Sequence, residues 1–470
     1  MRWRISTGAC WFALASGLGG PLWAQGKTDM NPRIEMPVAS KYDIAPPPAW
    51  VLPATIPPAP ADARGAATID LLIDSQVRFA PEGDITYSNA AYSIENAQGL
   101  DDGAIQIGWD PALERLVVHH IRLIRDGKAT DLLGDGSKLT VVRREKNLEK
   151  AAIDGRLTLL MQPDDLRVGD IIDYSFTRTR RDPAMGGHSE FFIGPRDGAS
   201  FGRSRIRMLW PTSRSFKWRA LPGVVQPTFR KVGSETELLS DVSNATTKAP
   251  PQGAPSRFRA VNSVQVSDFA DWAAVSSNLE PLYAKAATLA PDSPLNAEVA
   301  RIAAASKDPR VRAEMALALV QEKVRYLLIE MNGGGYRPTN ADVTWSRRYG
   351  DCKAKTVLLI ALLRELGVAA RPVLVSTTMG DSVAVTLPSM GAFDHVIAEA
   401  SIAGKSYWLE GRGLATAAWR RSRCPISAMA CRSLRRARGR WRWSPTCPGS
   451  RPRRSSWRST PAAGSTPRPR

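Results

Sequence analysis

Apolar and polar residues alternate along much of the first half of the chain, whereas in the second half apolar residues recur at intervals of three and four. From Ala67 the period-two runs are TIDLLIDSQVRFA, AAYSIEN, AIQIGWDP, ERLVVHHIRLIRDGK, KLTVVRRE, LTLLMQP and GDIIDYSFTRTR. Separated by the turn formers Pro81-Glu82-Gly83, Asp101-Asp102-Gly103 and Asp126-Gly127, they predict an antiparallel β-sandwich over residues 67–245. Asp126-Gly127 suits a two-residue hairpin. The stretch from Ser240 to Pro255 is polar and proline-containing and reads as a boundary.

Helical spacing follows. Ser267 is placed to cap DFADWAAVSSNLEPLYAKAA, Asp292 to start a run ending at Ala305, and Asp308-Pro309 to open RVRAEMALALVQEKVRYLLIE. Met315, Leu317, Leu319, Val320, Val324, Leu327 and Leu328 predict a core-facing stripe on that last helix. NGGGYRPTNADVTWSRRY (332–349) reads as a loop feeding another helix, whose stripe is Leu358, Leu359, Leu362, Leu363 and Leu366. Asp351 is its N-cap and Gly367 its terminator. Strands AARPVLVST and FDHVIAEA, a connecting loop over 378–392, and SYWLEG after a turn at Ala403-Gly404 complete an α+β pattern.

Cys352 falls on the first turn of the Leu-rich helix, where unpaired N–H groups and the helix dipole favour a thiolate, the nucleophilic form. Lys353 and Lys355 push the same way; an ionised Asp351 opposes them. A cysteine nucleophile needs a base, and His395 is the single histidine of the second half, with Glu410 downstream to orient it. The competing reading is a small core cysteine. The charged neighbours argue instead for a polar helix end.

GDCKAKT on a helix, DH on a strand and a W-L-acid run on the next together resemble the core of the transglutaminase-like superfamily of cysteine enzymes. VRYLLIEMNGGGYRPTNADVTWSRRYGDC resembles the version in bacterial envelope proteins, where a β-rich domain of unknown function precedes the core. The similarity runs from about Ile69 to Gly411 and is most specific around Cys352. It implies a papain-like core over 260–410 and a catalytic triad of Cys352, His395 and Glu410. The reaction implied is acyl transfer from an amide through a thioester, to water or to an amine, with no metal or organic cofactor. The superfamily's third residue is usually Asp; Glu410 is one methylene longer. Asp394 is a poor substitute, because neighbouring strand residues point to opposite faces. Tyr336 and Trp345 are candidates for a substrate groove, and Trp345 reads equally well as a packing residue. The Trp345 indole or, more simply, the Cys352 backbone N–H would serve an oxyanion. A catalytically silent envelope scaffold or a peptide- or carbohydrate-binding protein, using aromatics of the β-module such as Trp210, Phe216 and Trp218, is the alternative.

The net charge of +19 suggests nucleic acid until its distribution is read. Residues 411–470 hold 16 Arg, no Lys and no acid, so the rest of the chain is close to neutral. That tail is either a basic arm or, as its Arg, Ser, Pro, Trp and Ala bias argues, the product of a reading frame shifted near Glu410; disorder is expected either way. The partner expected is a peptide or protein amide substrate and not a nucleic acid. Resembling proteins continue with further β structure, so the resemblance implies missing cover for the core sheet.

Cys10 lies in the N-terminal apolar run and Cys424, Cys431 and Cys447 in the tail, which leaves Cys352 without a disulfide framework in the body. No C-x-x-C spacing supports a metal site. Residues 1–24 read as a signal peptide: Arg2 and Arg4, the apolar Ala9 to Gly19, and a cleavage site before Gln25. Export to the periplasm, with no stable membrane insertion after signal removal, is the expected localisation. Residues 25–66 form a proline-rich linker or strap. His119 and His120, adjacent in one strand, are expected on opposite faces in structural roles, and His188 carries no catalytic signal.

Overall fold

The organising strand of the N-terminal half is β2 (Thr68–Ala80), buried at alternate positions and paired on both sides. In the computed structural model, residues 42–60, 63, 65–134, 139–143, 155–327, 335–412 and 431–432 are described. The signal-like segment 1–24 and nearly all of the Arg-rich tail lie outside them, and the described residues fall in one unit that starts at Ala39. Around β2 are β1 (Asp43–Ile44), β3 (Gly83–Ile94), β5 (Glu114–Arg125), β6 (Lys128–Asp131), β9 (Ile171–Arg180), β11 (Ser200–Pro211), β13 (Thr228–Val232) and β14 (Glu235–Thr246). They form one sheet in the order β1-β5-β9-β3-β2-β11-β14-β13, with β6 alongside β5. Asp126 (φ 50°) and Gly127 (φ 74°) make the expected two-residue hairpin between β5 and β6.

Leu116, Arg178, Thr86, Val77, Met208 and Leu238 are cross-strand neighbours in one row and so define one face. Two three-stranded sheets cover that face. The first comprises β4 (Ile105–Trp109), β7 (Thr140–Arg143) and β8 (Leu157–Met161); its Ile105, Ile107, Trp109 and Leu159 pack on Leu116, Val118 and Ile121. The second comprises β10 (Glu190–Ile193), β12 (Lys217–Ala220) and β15 (Val264–Ser267); its Val264 and Val266 pack on Val77, Phe79, Met208 and Leu238.

The opposite face is polar yet buried, because the proline-rich segment lies across it. Arg205 pairs with Asp74 (2.6 Å) and donates to the carbonyls of Leu52 and Pro53 (2.6 and 3.2 Å). Arg207 pairs with Glu237 and donates to the Trp50 carbonyl, both at 2.6 Å, while Gln76 exchanges hydrogen bonds with the Leu52 backbone. Prolines lack N–H groups, so this strap offers mainly acceptors, and arginines are suited to meet them.

His119 and His120 depart from strict alternation. A bulge between Val118 and His120 turns both rings to the same polar face, with His119 bonded to Thr177 (2.6 Å) and His120 to Ser175 (2.9 Å).

The second half is built from α2 (Trp272–Ala286), α3 (Leu295–Ala305), α4 (Pro309–Lys323), α5 (Ala341–Arg347) and α6 (Cys352–Glu365), the short α1 (Ala97–Asp101) belonging to the sandwich. Strands β18 (Ala369–Val375), β19 (His395–Ile402) and β20 (Lys405–Leu409) form an antiparallel sheet, with β21 (Cys431–Arg432) paired to β18. α6 is buried from Cys352 through Leu363, all round and not along one stripe, because helices lie on one side of it and the sheet on the other. Val396, Ala398, Ala400 and Ile402 share its core.

Three local expectations change. Ser267 belongs to β15, so Asp271 caps α2 instead, its carboxylate accepting from Ala274 N at 2.8 Å. α4 stops at Lys323, because β16 (Arg325–Tyr326) pairs in parallel with β17 (Tyr349–Gly350). The stretch read as loop contains α5, capped by Asn340.

Arg205→Ala is expected to destabilise the protein by about 3–5 kcal/mol, since it strands the buried Asp74 carboxylate. The urea midpoint measures this, and cleavage of the strap by a protease should accelerate in parallel.

Candidate active site

Cys352 opens α6 because Asp351 supplies an N-cap: extended backbone (φ −80°, ψ −172°) and a carboxylate accepting from Ala354 N at 2.9 Å. The end is polar, as read from the sequence, but it is not exposed. Asp351, Cys352, Lys353 and Lys355 are all buried, at 4, 2, 2 and 1%. The charges are answered locally. Lys353 pairs with Asp351, and the Lys355 ammonium donates to the Val324 carbonyl. Burial pulls Lys355 down to about 8 even with the Glu410 carboxylate opposing it.

His395 is the first residue of β19. Alternation would put it with Ile397, which packs with Val373, Val375 and Trp408 on the sheet face away from α6. At the strand's end its ring instead meets both partners: Nε2 donates to Glu410 Oε2 at 2.6 Å, and the ring is hydrogen-bonded to the Cys352 side chain. With Nε2 committed to Glu410, Nδ1 is the nitrogen left for the sulfur.

Burial alone would lower the affinity of this imidazole for a proton. The hydrogen bonds to Cys352 and Glu410, with their charges, outweigh it and push His395 up to about 9.

Glu410 follows β20 directly and reaches the ring despite its extra methylene. Burial disfavours its charge, but the His395 bond, the Arg412 N–H (3.0 Å to Oε1) and the Arg412 guanidinium (3.3 Å to Oε2) hold it below the ordinary carboxylate range. Gln321 fixes its backbone carbonyl at 2.8 Å. Asp394 is otherwise engaged, capping the turn at Thr377 and Thr378 through four hydrogen bonds of 2.7–3.1 Å.

Of the two aromatic candidates, Trp345 is buried in α5, inside the core cluster that includes Cys352, with the Arg348 guanidinium 3.6 Å from its ring centroid. Tyr336 is buried beside Glu190 and lines a cavity of about 830 Å³ that also contains Arg180 and Asp182 of the β-module. That cavity is separate from the Cys352–His395–Glu410 row in its lining.

Sequence reasoning passed over Tyr283 and Tyr326. Both are pushed upward, by burial first and by the neighbouring Cys352 and Asp351 next. The buried Tyr283 hydroxyl has no hydrogen-bond partner among the described residues. In sequence Tyr283 shares an apolar helical stripe with Val275 and Leu279, which hides its hydroxyl, and Tyr326 lies in β16 where the sequence predicted a continuing helix.

The arrangement brings together a sulfur that can act as nucleophile, an imidazole biased toward its protonated form and a carboxylate able to orient it. Because the folded His395 value of about 9 lies above the ordinary 6.5, the proton stabilises the fold. That contribution is complete below 6.5 and disappears as pH rises through about 9. Glu410→Ala should lower the His395 titration point and shrink this window, read by histidine C–H NMR and by urea midpoints across pH.

Comparison with known proteins accords with this geometry. Residues 83–247 match the domain of unknown function DUF3857, and residues 297–410 match the transglutaminase-like superfamily. Among solved structures, a "putative protease" from Parabacteroides distasonis aligns with a TM-score of 0.59 at 12% identity, over 73% of this chain and 67% of that one. At that identity the likeness is one of fold. A "putative cysteine protease" from Cytophaga hutchinsonii aligns with a TM-score of 0.23 at 14% identity, over 48% of this chain and 72% of that one, which is too low to argue from. A search of curated proteins finds no match. With Cys352, His395 and Glu410 falling inside the second matched region, the chain joins a DUF3857 domain to a domain of the transglutaminase-like superfamily.

Proposed function

We propose that this protein is an exported, cysteine-dependent enzyme that cleaves or transfers the acyl group of peptide or protein amides. The observation that carries the reading is the hydrogen-bonded row Cys352, His395, Glu410, with a buried imidazole biased toward its protonated form. The Cys352 sulfur attacks the amide carbonyl, and the C–N bond breaks as His395 gives its proton to the leaving amine. An acyl-thioester on Cys352 remains. His395, now neutral, takes a proton from water or from an incoming amine, which attacks the thioester and returns the sulfur. Glu410 keeps the ring in the orientation that presents the other nitrogen to the sulfur. The Cys352 backbone N–H, at the first turn of α6 where a helix supplies no partner for its N–H groups, suits the developing oxyanion.

Export is supported by the signal-like residues 1–24; among the described residues no helix is long and apolar enough to cross a membrane. The periplasm is the compartment proposed. A frame shift near Glu410 is supported by the coincidence of two boundaries: the superfamily match ends at 410, and acidic residues cease there.

Turnover of a peptide-amide library is expected with the intact protein, and mass spectrometry should capture an acyl adduct on Cys352. Cys352→Ala should abolish both. Since the leaving amine needs the His395 proton, the rate should fall as pH rises through about 9. A rate that keeps climbing above that point, or an active Cys352→Ala protein, refutes the mechanism.

A further inference from the structure

The loop that delivers His395 is held by the β-module. Leu387 N donates to Gln265 Oε1 (3.1 Å), and Ser267 Oγ donates to the Pro388 carbonyl (2.6 Å), both from β15. Ser256 Oγ and Arg257 N donate to Asp381 at the loop's far end, at 2.6 and 2.9 Å.

The contact nearest His395 is made by Glu190, at the head of β10. Its two carboxylate oxygens accept from consecutive backbone N–H groups, Met390 (to Oε2) and Gly391 (to Oε1), each at 2.7 Å. These belong to the 3-10 turn Met390–Ala392, which ends three positions before His395. Gly391 allows the approach, for a Cβ there would lie 2.9 Å from Glu190 Oε1. Glu190 makes no ion pair among the described residues; Arg180 and Asp84 act on it from a distance, and Tyr336 packs beside it. A half-buried carboxylate spent on two backbone N–H groups, without a cation in contact, is costly to keep. Burial pushes it up to about 7 against those two bonds.

We infer that Glu190 is a positioning residue for His395, and that the DUF3857 module serves the site by clamping the Met390–Gly391 turn through this carboxylate. The inference rests on the proposed role of the Cys352–His395 pair. It assigns the β-module a task in that chemistry: the imidazole is set between sulfur and Glu410 by a side chain from the other matched domain.

The test is the pH profile of Cys352 alkylation by iodoacetamide, followed by mass spectrometry, with histidine C–H NMR reporting the His395 titration. Glu190→Ala, shown to be folded by circular dichroism, should slow Cys352 alkylation at neutral pH about tenfold or more and move the His395 titration point. Glu190→Gln keeps one acceptor and should recover part of both. Should Glu190→Ala fail to fold, Gly391→Ala displaces the same turn without changing charge and is read in the same way. A wild-type profile and titration in the folded variant overturn the inference. The underlying reading fails separately, when wild type and His395→Ala alkylate at the same rate.

Discussion

An imidazole buried beside a sulfur and a carboxylate, and biased by them toward its protonated form, is the constraint around which the second half of the chain is arranged. Burying a cation costs several kcal/mol unless its partners are in place, so the protonated ring exists only while Cys352, His395 and Glu410 are held together. Each of the three comes from a different kind of element: a helix N-terminus, a strand start and a strand end. The surrounding charges obey the same rule. Lys353 is tied to Asp351, Lys355 to the Val324 carbonyl, and Arg412 to Glu410, so charged groups are accommodated without opening the core.

The β-module participates in this arrangement through its second small sheet. β15 and β10 carry Gln265, Ser267 and Glu190 to the loop ahead of His395, while the same sheet buries Val264 and Val266 against the large one. The loop ahead of His395 is thereby tied to the large sheet through the small one. On the other face of the large sheet, buried arginines of β11 hold the proline-rich strap.

Much of this was legible from residue order. The period-two runs gave β2, β5, β8 and β9 nearly to the residue, and Asp126-Gly127 made the predicted hairpin, because half-buried strands carry their burial pattern in the sequence. Asp308-Pro309 and Asp351 capped the helices expected of them. Departures came where a long-range pairing outbid a local signal. Ser267 looked like a cap and became a strand residue beside Glu190; the helix through Val324 stopped because Arg325–Tyr326 found Tyr349–Gly350; and a bulge rotated His119 onto the face of His120.

By itself the sequence determined the α+β class and the helix that bears Cys352, since these depend on local periodicity and capping; His395 and Glu410 were singled out by residue type together with the resemblance of their motifs to the transglutaminase-like core. Tertiary structure alone decided that the charged end of that helix is buried, that His395 turns from the face its strand alternation assigns, and that Glu190 grips the turn before it. Those outcomes depend on contacts between residues up to 201 positions apart, whose energies reside in burial and hydrogen-bond geometry that no local pattern encodes.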